Sequence, residues 1–114
     1  MWGEFETVYA VTDYYDGILA GVADFQGSPH IFVRDEETPP LYRLTLISGA
    51  AASLDWSPLN DIWNPTPAVE ALVRTAISAR DDGFVAVGEF IPVDGSPPLK
   101  PIMRVRWNAE RDGV

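Results

Sequence analysis

The chain has 114 residues, no cysteine and a formal charge of -9, and 46% of it is hydrophobic, including four tryptophans, four tyrosines and five phenylalanines. That supports one packed core and leaves no room for a second domain, while the missing cysteines exclude disulfides, thiolate nucleophiles and cysteine-based zinc sites. The acidity disfavours nucleic acid and anionic membrane surfaces as general ligands, and it is lopsided: residues 1–70 hold eleven acids against two bases, Arg34 and Arg43, while residues 71–114 hold six of each.

The predicted elements begin with a strand over residues 5–12, Phe-Glu-Thr-Val-Tyr-Ala-Val-Thr, rich in β-branched and aromatic types and without a helical stripe. Asp16-Gly17 suits a tight hairpin turn, and Ile18 to Phe25 resumes the β pattern with small or apolar residues on both faces, as a central strand would. Gln26-Gly27-Ser28-Pro29 makes a second turn into a third strand, His30 to Arg34. Asp35-Glu36-Glu37-Thr38-Pro39-Pro40 reads as a charged loop, and Leu41 to Ile47 as a fourth strand with Tyr42, Leu44 and Leu46 on one face.

Ser48 to Ala52 reads as a bend, and Ser57-Pro58 as the start of a short helical turn carrying Leu59, Ile62 and Trp63. Thr66 caps and Pro67 opens the principal helix, where Val69, Leu72, Val73, Ala76 and Ile77 recur at spacings of three and four. Glu70 is placed to pair with Arg74 one turn on, and Gly83 to stop the helix. Residues 84–91 and 102–107 give two further strands, the last with Met103, Val105 and Trp107 inward and Arg104 and Arg106 outward. Between them lies a proline-rich exposed loop, residues 92–101, a candidate contact surface. The fold class is therefore α+β: a curved antiparallel sheet of about six strands in the order β-β-β-β-α-β-β with one helix on one face, or alternatively a small, partly closed β-barrel with a helix.

The densest polar group falls on the first hairpin and its neighbour: Asp13, Tyr14, Tyr15, Asp16, Asp24 and His30. Carboxylates beside a histidine raise its basicity, which makes His30 with Asp13, Asp16 or Asp24 the candidate catalytic set. No G-x-S-x-G motif accompanies it, and a histidine at a strand start hydrogen-bonded to a turn is the favoured reading. The calcium-loop pattern is not met at residues 13–17, no glycine-rich phosphate loop occurs, and no metal or cofactor is expected. Trp2, Trp56, Trp63 and Trp107 are expected mainly in the core, with Trp56 and Trp63 the candidates for partner contact because they fall in the irregular stretch.

Residues 8–17, Val-Tyr-Ala-Val-Thr-Asp-Tyr-Tyr-Asp-Gly, and residues 21–30, Gly-Val-Ala-Asp-Phe-Gln-Gly-Ser-Pro-His, together resemble the opening of small, uncharacterised bacterial proteins. The resemblance covers about the first third of the chain. It implies a bacterial source, an intact first hairpin and a grouping of Asp13, Asp16, Asp24 and His30, and it brings no function; the helix and the proline loop depart from it.

The functional expectation is a non-enzymatic interaction module of an immunity-type or regulatory kind, meeting a basic protein partner through Asp35, Glu36 and Glu37. The alternatives are a small enzyme or ligand binder using His30 with a nearby aspartate, and a homo-oligomer joined through edge strands. The absence of a basic, apolar leader at the N-terminus and of any run of about 18 apolar residues gives a cytoplasmic expectation.

Overall fold

Six antiparallel strands close into a barrel in sequence order: β1 (Glu6–Tyr14), β2 (Ile18–Phe25), β3 (Ser28–Glu37), β4 (Pro40–Leu46), β5 (Phe84–Pro92) and β6 (Met103–Asn108). A 3-10 turn (Gly49–Ser53) and one helix, α1 (Pro67–Ala79), lie between β4 and β5. The computed structural model describes residues 2–15, 17–37, 40–53, 56, 62–79 and 84–108. Of the two architectures compatible with the sequence, the barrel with one external helix is the one formed, and the expected element order holds.

The turns follow from their residues. Gln26 and Gly27 both have positive φ (54° and 82°), the geometry of a two-residue hairpin turn whose twist matches the strands it joins. The Glu6 carboxylate accepts hydrogen bonds from both their amides, at 3.1 and 2.8 Å. Gly17 sits at φ 123° between Tyr14 and Ile18, which pair across the β1–β2 turn. The charged loop expected at residues 35–40 is shorter than the sequence suggests, because a bulge between Arg34 and Glu36 lets pairing continue through Glu36↔Leu41 and Glu37↔Pro40. Pro40 is tolerated as the first residue of β4, where a missing N–H costs little.

Two apolar clusters flank the barrel wall. Inside, Phe32, Tyr42, Phe90 and Trp107 form an aromatic quartet in which all six pairs have ring centroids 5.2–6.1 Å apart. Outside, Val69 and Val73 of α1 pack on Ala10, Ala20, Val22 and Ile31 of β1–β3. Strand β2 is therefore apolar on both faces because it separates the barrel interior from the helix; a closed barrel has no central strand. Register shifts in β1 at Val8/Ala10 and Val11/Asp13 let Val8 and Val11 enter the interior while Ala10 faces the helix. On β4 the inward register holds for Tyr42 and Leu44, but Leu46 is 55% exposed because the strand has run past the end of the barrel.

Helix α1 starts as its sequence dictates, with Thr66 Oγ1 accepting from the Val69 amide at 3.4 Å and Pro67 in the first turn. Arg74 does not chiefly reach back to Glu70; it makes a two-pronged contact with Asp13 on β1, both distances 2.9 Å, tying helix to barrel at the surface. The stop assigned to Gly83 and the turn assigned to Ser57-Pro58 lie outside the described residues.

The seam between β1 and β6 is only partly zipped. They pair at Glu6↔Val105 and Thr7↔Arg104, with a bridge at Trp2↔Asn108. Farther along, the Val11 amide donates to the Ile62 carbonyl at 2.8 Å, and Trp63 Nε1 donates to the Pro101 carbonyl at 2.9 Å. Ile62, 1% exposed, enters the barrel core there. The stretch just before α1 thus fills the gap that strand pairing leaves.

Two glycines make room for the interior rings. A Cβ on Gly88 would lie 2.6 Å from Trp107 Cζ3 and 3.0 Å from Tyr42 Cδ1, and one on Gly21 would lie 2.1 Å from the Ala10 carbonyl oxygen and 2.9 Å from Phe32 Cζ. Gly88→Ala is expected to cost about 1–3 kcal/mol, the usual scale of overpacking, and Gly21→Ala at least as much because backbone cannot move aside as a ring can. Urea unfolding checks the order; a Gly21→Ala protein as stable as the wild type would contradict the close approach.

Candidate functional site

One end of the barrel is open. Its rim is built from the β1–β2 turn, the start of β4, the end of β5 and the loop before β6, and it borders an open cavity of about 700 Å³. The aromatic quartet forms the floor, since Tyr42 and Phe90 line the cavity from below. Tyr14 and Trp63 form one wall, packed edge to face with centroids 5.3 Å apart. Beside them the proline-rich loop contributes Pro98, Leu99 and Pro101, joined to Trp63 through its hydrogen bond to the Pro101 carbonyl. That loop is shaped by a turn in which Gly95 has φ 84° and the Val93 carbonyl accepts from Ser96 Oγ at 2.6 Å. Leu99 is 95% exposed, an apolar side chain held at the rim without cover.

The charged residues lining the cavity, among the described residues, are Arg34 and Glu89; Glu89 stands between the inward-facing Gly88 and Phe90, so its side chain turns to the outer face. Arg34 stands two residues after the fully buried Phe32, so the alternation of β3 carries it inward. Its guanidinium lies against Gly17, where a Cβ would be 3.3 Å from Nη1. It also acts on Tyr42: burial pushes the phenol's pKa up, while the charge of Arg34 and a hydrogen bond from it pull the other way. Tyr42 in turn donates its hydroxyl proton to the Ile18 carbonyl at 2.8 Å, so the buried hydroxyl is satisfied. Glu89 is engaged by Arg106 Nε at 2.5 Å, and that guanidinium also lies over the rings of Trp2 and Phe5, at 4.7 and 5.1 Å.

The residues singled out from sequence are distributed over the molecule. Asp24 and His30 neighbour each other across β2 and β3, where Ala23 pairs with His30 and Asp24 with Pro29. They belong to the end of the barrel opposite the cavity and do not line it. Asp13 is opposite Ala20, four residues from Asp24 along β2, or about 13 Å at the usual strand rise. It is engaged with Arg74 on the outer wall. Asp16 lies outside the described residues.

His30 Nδ1 is 2.7 Å from the Ser28 carbonyl; a carbonyl only accepts, so Nδ1 carries the proton, and the ring stands edge-on to Phe25 at 5.3 Å. Asp35 is exposed on β3, and Glu36 and Glu37 continue that strand. Trp63 lines the cavity, while Trp56 is half-buried beside Tyr9 with its Nε1 donating to the Ala51 carbonyl at 3.2 Å. Trp107 is buried, its Nε1 donating to the Asp24 carbonyl at 2.9 Å, and Trp2 is 39% exposed. Among the described residues no three histidine or carboxylate side chains converge as a metal ion would require, and no helix is long and apolar enough to cross a membrane.

The cavity went unrecognised in the sequence because its walls come from six separate segments. Arg34 carried the available signal: a cation in the same register as Phe32 is out of place on a core-facing strand, but that register is legible only once the inward face of β3 is known. No protein-family model, curated protein or solved structure matches the chain.

At the opposite end, Tyr9 donates its hydroxyl to Asp24 Oδ1 at 2.9 Å. Burial, this hydrogen bond and the charges of Asp24 and Glu6 push the Tyr9 pKa up to about 12 from its ordinary 10.0. Burial also raises that of Asp24, against the Tyr9 hydrogen bond, which lowers it. A folded-state value above the unfolded one means that Tyr9 contributes full stability below pH 10 and loses it as the pH climbs toward about 12. Chemical denaturation across that window should therefore give a declining unfolding free energy in the wild type and a shallower decline in Tyr9→Phe; parallel declines would separate the phenol from the effect.

Proposed function

We propose that the protein is a non-enzymatic binding module whose site is the open mouth of the barrel, where it holds a small apolar molecule. The observation that carries this reading is the cavity itself. A volume of about 700 Å³ is in the range of ligand sites, roughly 300–1,000 Å³, and barrel mouths are a common place for them. Its floor and walls are aromatic, aliphatic or proline side chains, which suits an apolar guest.

The lining chemistry supports a reading of binding without turnover. Among the described lining residues there is no serine, threonine, histidine, aspartate or lysine. The Tyr42 hydroxyl is committed to a backbone carbonyl and Glu89 to an arginine, so the paired nucleophile and base of a hydrolytic site are not assembled there. The geometry also moves the weight away from a charged partner surface. Acidic side chains on the β3–β4 hairpin are what a solvated face carries in any case, whereas an uncovered Leu99 above an aromatic floor exposes apolar surface that a guest would bury.

Titration with the neutral dye Nile red tests the reading. Saturable, blue-shifted emission is expected from the wild type, with affinity lowered roughly fivefold or more by Trp63→Ala and by Leu99→Asp, the equivalent of about 1 kcal/mol of apolar contact. Leu99→Asp is a rim change at an exposed position and is expected to leave folding intact. Dye binding that does not saturate, or that ignores both substitutions, would remove the mouth as the site.

A further inference from the structure

We infer that the mouth selects a planar aromatic ring system over an aliphatic chain or cage, the flat guest lying in the angle between Trp63 and Tyr14 above the Tyr42 and Phe90 rings. This rests on the mouth being the binding site, as proposed above, and names the chemical class that the site takes.

The inference starts from the kinds of apolar side chain that line the cavity. Among the described lining residues four are aromatic, Tyr14, Tyr42, Trp63 and Phe90, and four are prolines, while the branched aliphatic ones are Ile18 and Leu99. Burial of area alone does not separate these types, because water is excluded from aliphatic and aromatic surface alike. Rings add a second contribution. A π system has a negative face and a positive edge, so aromatic pairs gain from stacked or edge-to-face contact beyond the area they bury. Met103 extends the same preference, since a thioether packs favourably at a ring edge. A saturated guest collects only the area.

The geometry offers both kinds of ring contact at once. Tyr14 and Trp63 meet at 86° with centroids 5.3 Å apart, and Tyr42 and Phe90 at 63° and 5.5 Å. Two rings at a steep angle make a corner, in which a third ring stacked on one meets the edge of the other.

The corner is also held in place. Trp63 Nε1 donates to the Pro101 carbonyl at 2.9 Å and the Tyr42 hydroxyl to the Ile18 carbonyl at 2.8 Å, so two of these rings are pinned at their polar tips. The rim loop is stiffened by its prolines, which fix φ, and is tied at its base where the Val93 amide donates to the Ile102 carbonyl at 2.7 Å. Pre-formed walls favour a rigid guest, which loses no internal rotation on entry, over a flexible alkyl chain, which does.

Displacement of Nile red from the full chain by matched uncharged probes tests it: naphthalenemethanol against its decahydro analogue, and biphenylmethanol against bicyclohexylmethanol. Each saturated partner keeps the carbon skeleton and the hydroxyl and is the more hydrophobic of the two, so a site that reads apolar area alone would prefer it. The aromatic member is expected to bind about tenfold more tightly, the scale of two ring contacts. Tyr14→Leu and Trp63→Leu keep apolar bulk and remove a ring. With constants corrected for each variant's own dye affinity, each should cut the preference to about threefold and leave the saturated probes within about twofold of the wild type, which also reports that the mouth is intact. Tyr14→Phe should retain the full preference. Tyr14 is 64% exposed, so its replacement is expected to leave folding intact. Should Trp63→Leu fail to fold, Tyr14→Leu and the wild-type pairs decide. Equal affinities, tighter binding of the saturated partner, or a preference that the leucine variants leave unchanged would overturn the ring assignment while leaving the mouth as a binding site. If neither the dye nor any probe binds, the site itself is refuted along with its ligand class.

Discussion

Closure of the barrel around the Phe32, Tyr42, Phe90 and Trp107 rings is the constraint on which the remaining structure depends. Four large rings from β3, β4, β5 and β6 pack in mutual contact, each pair adding on the order of 0.5–1.5 kcal/mol beyond the area it buries. They fit because the neighbouring strands carry glycine where they pair with Phe32 and Trp107, at Gly21 and Gly88. The polar tips of Tyr42 and Trp107 reach the carbonyls of Ile18 and Asp24, on the neighbouring wall of β2. The quartet thereby couples four strands to a fifth through rings and hydrogen bonds together, and its upper surface becomes the floor of the cavity.

Closure also explains why β2 is apolar on both of its faces. A sheet with one solvated face would leave β1, β2 and β3 alternating between polar and apolar. Here the inner face belongs to the barrel core and the outer face of those three strands lies under α1, so both must be apolar. The cost of the short β1–β6 pairing is met locally by Ile62, which fills the interior while its carbonyl accepts from Val11. With the strands joined in a ring, the unpaired edge among the described strands is confined to the β1–β6 seam, which pairs at Glu6↔Val105 and Thr7↔Arg104.

What could be read from the sequence was whatever depends on neighbours along the chain. The alternation in β6, the turns at Gly17 and Gln26-Gly27, and the Thr66-Pro67 start of α1 are local patterns, and each is formed where its residues indicate. The four-residue rule points Arg74 to Glu70, yet across the interface Asp13 offers both carboxylate oxygens at 2.9 Å. The β3–β4 loop is shorter than its charge and prolines suggest, because a bulge and a strand-initial proline allow pairing to continue. The cavity was not legible at all. Tyr14, Arg34, Trp63, Gly88 and Leu99 are scattered over eighty-odd residues, and only closure brings them round one opening.

The same closure changes the meaning of the charge distribution. The acid excess of the first seventy residues looked like a surface for a basic partner, and Arg34 was one of only two bases within it. In the folded chain that arginine is turned inward by its register with Phe32, away from the acidic exterior that Asp35 next to it joins. Solvent and salt screen the exposed acids, with a decay of about 8–10 Å at physiological ionic strength, whereas a half-buried cation is screened far less. Among the described residues the cavity lining is mainly aromatic, aliphatic and proline, so the acidity that dominates the composition has little part in shaping it.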